Sequence, residues 1–293
     1  MRIIEWPRFL EEASPLGGKP SAITVGVFDG VHRGHRALIE QIISHRCAAS
    51  KVEAVPVVIT FMQGRHKKNG GRQEYPGDIL SFRQKIAIFE SLGVSVTIAM
   101  ELTDAVRKMA GGEFLRILHE HGKMSFMAVG SNFRCGYQLD TDAPAIQRFN
   151  EERGVPTCIL PSLKEGADPI SSALIRSAVC QGRLAAAAAM LGRPFTLDLS
   201  GAAISAAANA PGSAWDIAAE GRVLPPPGSY PVLLYGKNGG PGTPAEIAIE
   251  GGKLVIGGDL AGISPEYAEF VPSNSAPVTQ SVPVTHTCLD KNL

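Results

Sequence analysis

The sequence predicts an α/β protein: a doubly wound parallel sheet in the first part of the chain, followed by a small all-β, barrel-like domain. Three observations carry this. Apolar runs of strand length alternate with helical patterns from Ala22 to Leu160, the arrangement of a parallel sheet covered on both faces. A glycine-punctuated turn, Gly26–His35, joins the first such run to the first long helix pattern. Around Gly201 the composition changes to Ala, Gly and Pro with short strand-like runs. A chain of 293 residues is long enough for one sizeable core and a smaller second domain, which we place at 1–200 and 201–293.

The elements follow in order. Ala22–Val25 reads as a strand, and Arg36–Ala49 as a helix whose Leu38, Ile39, Ile42 and Ile43 make one apolar face. Valine-rich Val55–Phe61 is a second strand. Ser81, with Gln84 three residues on, has the spacing of a capping box, and Gly93 marks that helix's end. Val94–Met100, helix Glu113–His121 and strand Ser125–Val129 come next. A helix opened by Asp142 and Pro144 leads to strand Thr157–Leu160. Ser171 and Ser172 open a helix reaching about Cys180, and Ala185–Ala189 lies in another. Beyond Gly201, Tyr230–Tyr235, Glu246–Ile249 and Lys253–Ile256 read as strands, and Pro272–Thr287 as a flexible or weakly docked tail.

Charge and cysteines narrow the function classes. Lys and Arg balance Asp and Glu at 28 each, but before Ser200 the count is 24 against 20, and after it 4 against 8. A mildly positive first domain suits an anionic small molecule and lacks the dense basic patch of a nucleic-acid binder. The five cysteines are far apart with no CxxC pair, so neither a disulfide framework nor a zinc site is expected, and the reducing cytoplasm is the expected compartment. No apolar run reaches bilayer length, and the charged N-terminus does not resemble an export signal, so no membrane partner is expected.

The chemistry centres on Gly26-Val-Phe-Asp-Gly-Val-His-Arg-Gly-His35. Two imidazoles, His32 and His35, stand at a strand-to-helix turn, where free backbone N–H groups and the helix dipole favour phosphate. The stretch resembles the HxGH signature of the nucleotidylyltransferases and, in its longer form, the prokaryotic FAD synthetases. That resemblance implies a Rossmann-like nucleotidylyltransferase fold. It also implies that His32 and His35 bind the triphosphate and stabilise charge on the attacked α-phosphate, with Gly26, Phe28, Asp29, Gly30 and Gly34 shaping the ATP site.

Three further stretches resemble the same family. Ile170-Ser-Ser-Ala-Leu-Ile-Arg176 is similar to its ISSTxIR motif, which implies ATP binding by Ser171 and Ser172 and a phosphate-facing Arg176 with a catalytic role; Ala173 replaces a threonine. Gly130-Ser-Asn-Phe-Arg-Cys-Gly136 resembles a loop beside the flavin, implying FMN contacts from Asn132 and Phe133, with Cys135 in place of an aromatic residue. Thr60-Phe-Met-Gln-Gly-Arg65 stands where the family has TFxPHP, which keeps Phe61 as an FMN contact but lacks the proline and histidine; Arg65 or His66 would substitute. Leu191–Phe195 resembles the element that closes the transferase domain.

The implied reaction is FMN adenylyl transfer: ATP and FMN give FAD and pyrophosphate, with Mg²⁺ shielding the leaving group and no metal ligand assigned. Two alternatives stay open: an HxGH transferase with another phosphorylated acceptor, and a non-catalytic flavin- or nucleotide-binding regulator. Bifunctional relatives append a riboflavin kinase barrel, and Gly221–Val232 faintly resembles part of it. Ala202–Glu220 holds nothing like its GFPTAN metal and nucleotide motif, and Glu246 and Glu250 lack a catalytic setting. The C-terminal region is therefore expected to be a degenerate, structural remnant without kinase activity.

Overall fold

The structure, a computed structural model, describes residues 1–48, 53–62, 75–200, 203–206, 213–216, 221–237, 240–251, 253–257 and 264–272. The chain folds as two compact units, the first Met1–Arg65 with Phe82–Pro169 and the second Ile170–Leu293 with His66–Ser81.

The first unit runs β1 (Arg2–Glu5), α1 (Trp6–Glu11), β2 (Ser21–Val25), α2 (Arg33–Ala48), β3 (Val55–Phe61), α3 (Phe82–Ser91) and β4 (Val96–Met100). It continues through α4 (Asp104–Lys108), α5 (Gly111–Glu120), β5 (Met124–Gly130), β6 (Arg134–Cys135), β7 (Thr141–Asp142), α6 (Ala143–Glu151), β8 (Thr157–Leu160) and the hairpin β9 (Lys164–Glu165) and β10 (Asp168–Pro169). Six strands form one sheet in the order β1-β4-β3-β2-β5-β8, with every pair parallel. All five residues of β2 and of β4 are buried, as expected of strands covered on both faces.

Strand residues Ile23, Ile59 and Val129 share a core with Trp6 and Phe9 of α1, Leu118 of α5 and Ile146 of α6. α2 packs on β2, β3 and β5, burying Ile39 and Ile42. The chain passes from β2 to β3 on one side and reaches β5 on the other, so the strand order reverses at β2. Ligands of open α/β sheets bind beyond the carboxyl ends of the strands at such a reversal.

The second unit holds α7 (Ser172–Cys180), α8 (Leu184–Leu191) and the strands β11 (Thr196–Asp198), β12 (Ala203–Ala206), β13 (Ser213–Asp216), β14 (Gly228–Gly236), β15 (Thr243–Glu250), β16 (Lys253–Gly257) and β17 (Pro265–Phe270). The seven strands form one antiparallel sheet in the order β11-β17-β14-β15-β16-β13-β12. Alternate residues Tyr230, Val232, Leu234, Ile247, Ile249, Leu254 and Ile256 are buried with Phe195 and Phe270, the period-2 pattern of a half-buried sheet.

Several boundaries differ from the sequence-based expectation. α2 starts at Arg33, three residues before Arg36, because the His32 carbonyl accepts the first helical bond from Arg36 N–H at 2.9 Å. β1, α1, α4, β12, β13 and β17 are additional elements. The compact units part between Pro169 and Ile170, so α7, α8 and the described residues of segment 66–81 belong with the β-sheet. Among the described residues no helix is long and apolar enough to cross a membrane. Ala49, Gln63–His66 and the tail beyond Pro272 lie outside the described residues.

Candidate active site

The Gly26–His35 turn leaves β2 at the strand-order reversal. Gly26 N–H still donates to the Ile59 carbonyl at 3.1 Å, after which the chain bends sharply. Phe28 and Val31 take left-handed φ values of 51° and 37°, and Gly30 one of 83°. Only glycine adopts that region without cost, so the two side-chain-bearing residues store strain. Phe28 holds its conformation through burial: its ring lies edge-on to those of His35 and Phe89, at 5.1 and 5.6 Å. A Cβ at Gly26 would stand 3.2 Å from the Phe28 ring, so a larger residue there would have to displace that buried ring by a few tenths of an ångström.

His32 is the N-cap of α2. Its Nδ1 accepts from the His35 backbone N–H at 3.3 Å, satisfying one of the helix's orphan donors. A ring whose Nδ1 accepts carries its proton, when neutral, on Nε2. His35 lies in the first helical turn, and the two imidazoles stack at 3.5 Å with 17° between their planes. His35 Nδ1 is buried and finds no hydrogen-bond partner among the described residues. Burial first, then the His32 and Lys85 charges, hold the His35 imidazole well below its ordinary pKa.

Lys85 of α3 is a buried cation in this site that the sequence reading did not single out. Its Nζ donates to the Val27 carbonyl at 3.1 Å and the Phe61 carbonyl at 3.0 Å, tying the histidine turn to the end of β3. Thr60 Oγ1 also donates to Val27, at 3.0 Å. No sequence pattern marks Lys85, because a lysine on an amphipathic helix ordinarily reaches solvent.

The remaining candidates of the first unit stand at neighbouring strand ends. Phe61 closes β3, and Phe133 packs against the core after β5. Asn132 is exposed, and its Nδ2 donates to Ser162 Oγ at 3.2 Å. Ser131 N–H donates to the Leu160 carbonyl at 2.8 Å, so the turns after β5 and β8 are joined. Cys135 is partly buried against the core, and burial together with the Asp140 carboxylate pushes its thiol up to about 12. A thiol so rarely ionised is inert.

In the second unit Ser171 is the N-cap of α7, its Oγ accepting from Leu174 N–H at 3.2 Å. Ser172 is the first helical residue, and Arg176 lies one turn on. Arg176 Nε donates to the Gly77 carbonyl at 3.0 Å, and its guanidinium lies over the Tyr75 ring, 5.0 Å from the centroid. Tyr75 and Gly77 belong to a segment that carries none of the motifs.

A parallel sheet with a glycine-rich turn and paired histidines at its order reversal defines a doubly wound α/β protein. The sequence profile described as FAD synthetase matches residues 17–174, and the chain belongs to that family. It is 27% identical over 198 residues to an Escherichia coli bifunctional riboflavin kinase/FMN adenylyltransferase, covering 67% of this chain and 61% of the relative. It is likewise 27% identical over 207 residues to FAD synthetase 2, chloroplastic, of Arabidopsis thaliana, covering 65% of this chain and 53% of that one. The chain thus matches less than two thirds of the length of these relatives. Among solved structures, one described as a macrolide-efflux protein from Streptococcus pneumoniae shares the fold with a TM-score of 0.76 at 17% identity, over 97% of this chain and 94% of that one.

Proposed function

We propose that the protein transfers the AMP moiety of ATP to FMN, giving FAD and pyrophosphate. The observation that carries this is the capped, stacked pair His32 and His35 at the first turn of α2, on the strand where the sheet order reverses. An oxygen of the FMN phosphate attacks the α-phosphorus of ATP, and the bond from that phosphorus to the bridging oxygen of the β-phosphate breaks. Little covalent work falls to the protein, so positioning and charge stabilisation carry the rate. His32 and His35 face the triphosphate, with Gly26, Phe28, Asp29, Gly30 and Gly34 shaping its cradle. Asn132, Phe133 and Phe61 receive FMN, and Ser171, Ser172 and Arg176 bind ATP oxygens.

Among the described residues no group of three or more His, Cys, Asp or Glu side chains is placed to hold a metal ion. Mg²⁺ usually keeps several waters and binds through substrate phosphates with only one or two protein oxygens, so it is taken as part of the Mg·ATP substrate, with no protein ligand assigned. The reading places the enzyme in the cytoplasm, acting on small molecules and not on nucleic acid. By function, residues 1–200 make up the transferase part, taking in α7 and α8 of the second compact unit, and 201–293 make up a kinase-like β part without kinase chemistry. The test is incubation of the purified chain with Mg·ATP and either FMN or riboflavin, followed by separation of the flavins. FAD and pyrophosphate in equal amounts from FMN are expected; absence of FAD overturns the assignment.

A further inference from the structure

The described strands of the β-rich region form one antiparallel sheet, and contacts within the second unit lead from its Gly221–Val223 stretch to Arg176. An arginine side chain carries large rotamer freedom, and α7 alone does not fix its end. The Gly77 carbonyl and the Tyr75 ring do, from opposite sides of the chemistry: one accepts from Nε, the other faces the guanidinium. The segment bearing them is in turn fastened to Gly221–Val223, the stretch that leads into β14. Asp78 N–H donates to the Gly221 carbonyl at 2.8 Å, and Val223 N–H to the Asp78 carbonyl at 3.1 Å.

Side chains reinforce that bridge. Arg222 Nη1 donates to the Leu80 carbonyl at 3.2 Å and lies 3.8 Å from the Asp78 carboxylate. Asp78 Oδ1 accepts from the Tyr75 hydroxyl at 2.6 Å. Gly77 has a φ of +110°, and a Cβ there would stand 2.4 Å from the Arg222 carbonyl carbon, an approach that only glycine permits.

We infer that the Gly221–Val223 stretch of the β region is a positioning element for nucleotide binding: through Asp78, Tyr75 and Gly77 it sets the Arg176 guanidinium for the triphosphate. Tyr75 is then a positioning residue acting through Arg176. This rests on the reading of Arg176 as an ATP-binding residue.

A double-mutant cycle on the full chain tests it, because residues acting through one group are non-additive. Tyr75→Leu, Arg176→Ala and their combination are compared by calorimetric Mg·ATP affinity without FMN, and by FAD formation with KM for ATP and for FMN measured separately. Tyr75→Leu is expected to weaken Mg·ATP binding about fivefold in the native background and less than about twofold in the Arg176→Ala background, with KM for FMN unchanged. Equal losses in both backgrounds, or an Arg176→Ala chain that binds Mg·ATP as tightly as the native one, overturn the inference. If thermal unfolding shows Tyr75→Leu to be misfolded, Tyr75→Phe carries the same cycle; it keeps the ring, loses the Asp78 bond and should weaken binding about twofold. Coupled Mg·ATP affinities without FAD formation overturn adenylyl transfer and leave the positioning role standing, whereas FAD formation with additive losses does the reverse.

Discussion

The two imidazoles of the Gly26–His35 turn share one stack but not one task. His32 caps a helix and is held by it; His35 is inserted among Phe28, His32 and Lys85, and its Nδ1 has no hydrogen-bond partner among the described residues. Removing one charge-stabilising donor typically lowers turnover by ~10²–10³, so His32→Ala or His35→Ala should do so while FMN binding changes little. Near-native FAD formation by both variants would exclude this turn as the site. The depressed His35 pKa also has a stability consequence. The unfolded chain binds this proton near the ordinary value of 6.5, and the folded protein binds it only at lower pH. The contribution is therefore fully present above about pH 6.5 and is lost as pH falls through the folded value. His35→Gln should flatten that part of the pH dependence, narrowing the difference in unfolding free energy between variant and native chain from about pH 7.5 to about pH 5. Parallel losses would mean that His35 is not the titrating group.

At the scale of elements, the segment between β5 and α6 is fastened to the start of α5. Asp140 accepts from Gly111 N–H at 3.1 Å, supplying the acidic partner a helix N-terminus favours. Gly136 has a φ of +84°, and a Cβ there would fall 2.3 Å from Gly111 N. Asp140→Ala should cost about 0.5–1 kcal/mol in denaturant unfolding, and Gly136→Ala more, since both backbone strain and overlap act on it. Gly136→Ala as stable as the native chain would show that this backbone contact is dispensable. Elements of this kind differ in how openly the sequence announces them. β3 and β5 were legible because a parallel strand covered on both faces is largely apolar, and β2 and β8 because short, mostly apolar runs stand there between helical patterns. β1 was not, because only Ile4 of its four residues is buried, which leaves no periodicity to read. β12 and β13 lie in an Ala- and Gly-rich stretch whose composition favours no element. The histidine turn was legible because its glycines answer to local backbone demands. Lys85, Tyr75 and Gly77 were not, since their roles come from carbonyls and rings supplied by distant parts of the chain.

For the whole molecule, the expected outcome with riboflavin and excess Mg·ATP is no enzyme-proportional FMN or FAD. Sustained formation of either would restore kinase chemistry to the C-terminal sheet. In that sheet Glu246 accepts from Ser229, and Tyr230 donates to the Pro226 carbonyl at 2.7 Å.

The strand order sets when the site can come into being during synthesis. β2 lies between β3 and β5, and β1 reaches its partner only at Val96–Ala99. A nascent chain that has emerged as far as β3 has one flank of β2 paired and the other open, so its histidine turn has no complete strand-end crevice. Only once Gly130 has left the ribosome can β5 close that flank, and β1 waits at the sheet's edge for β4. Non-local parallel pairing of this kind is slow, and until it forms the open flank of β2 is an unpaired strand edge exposed to association with its neighbours.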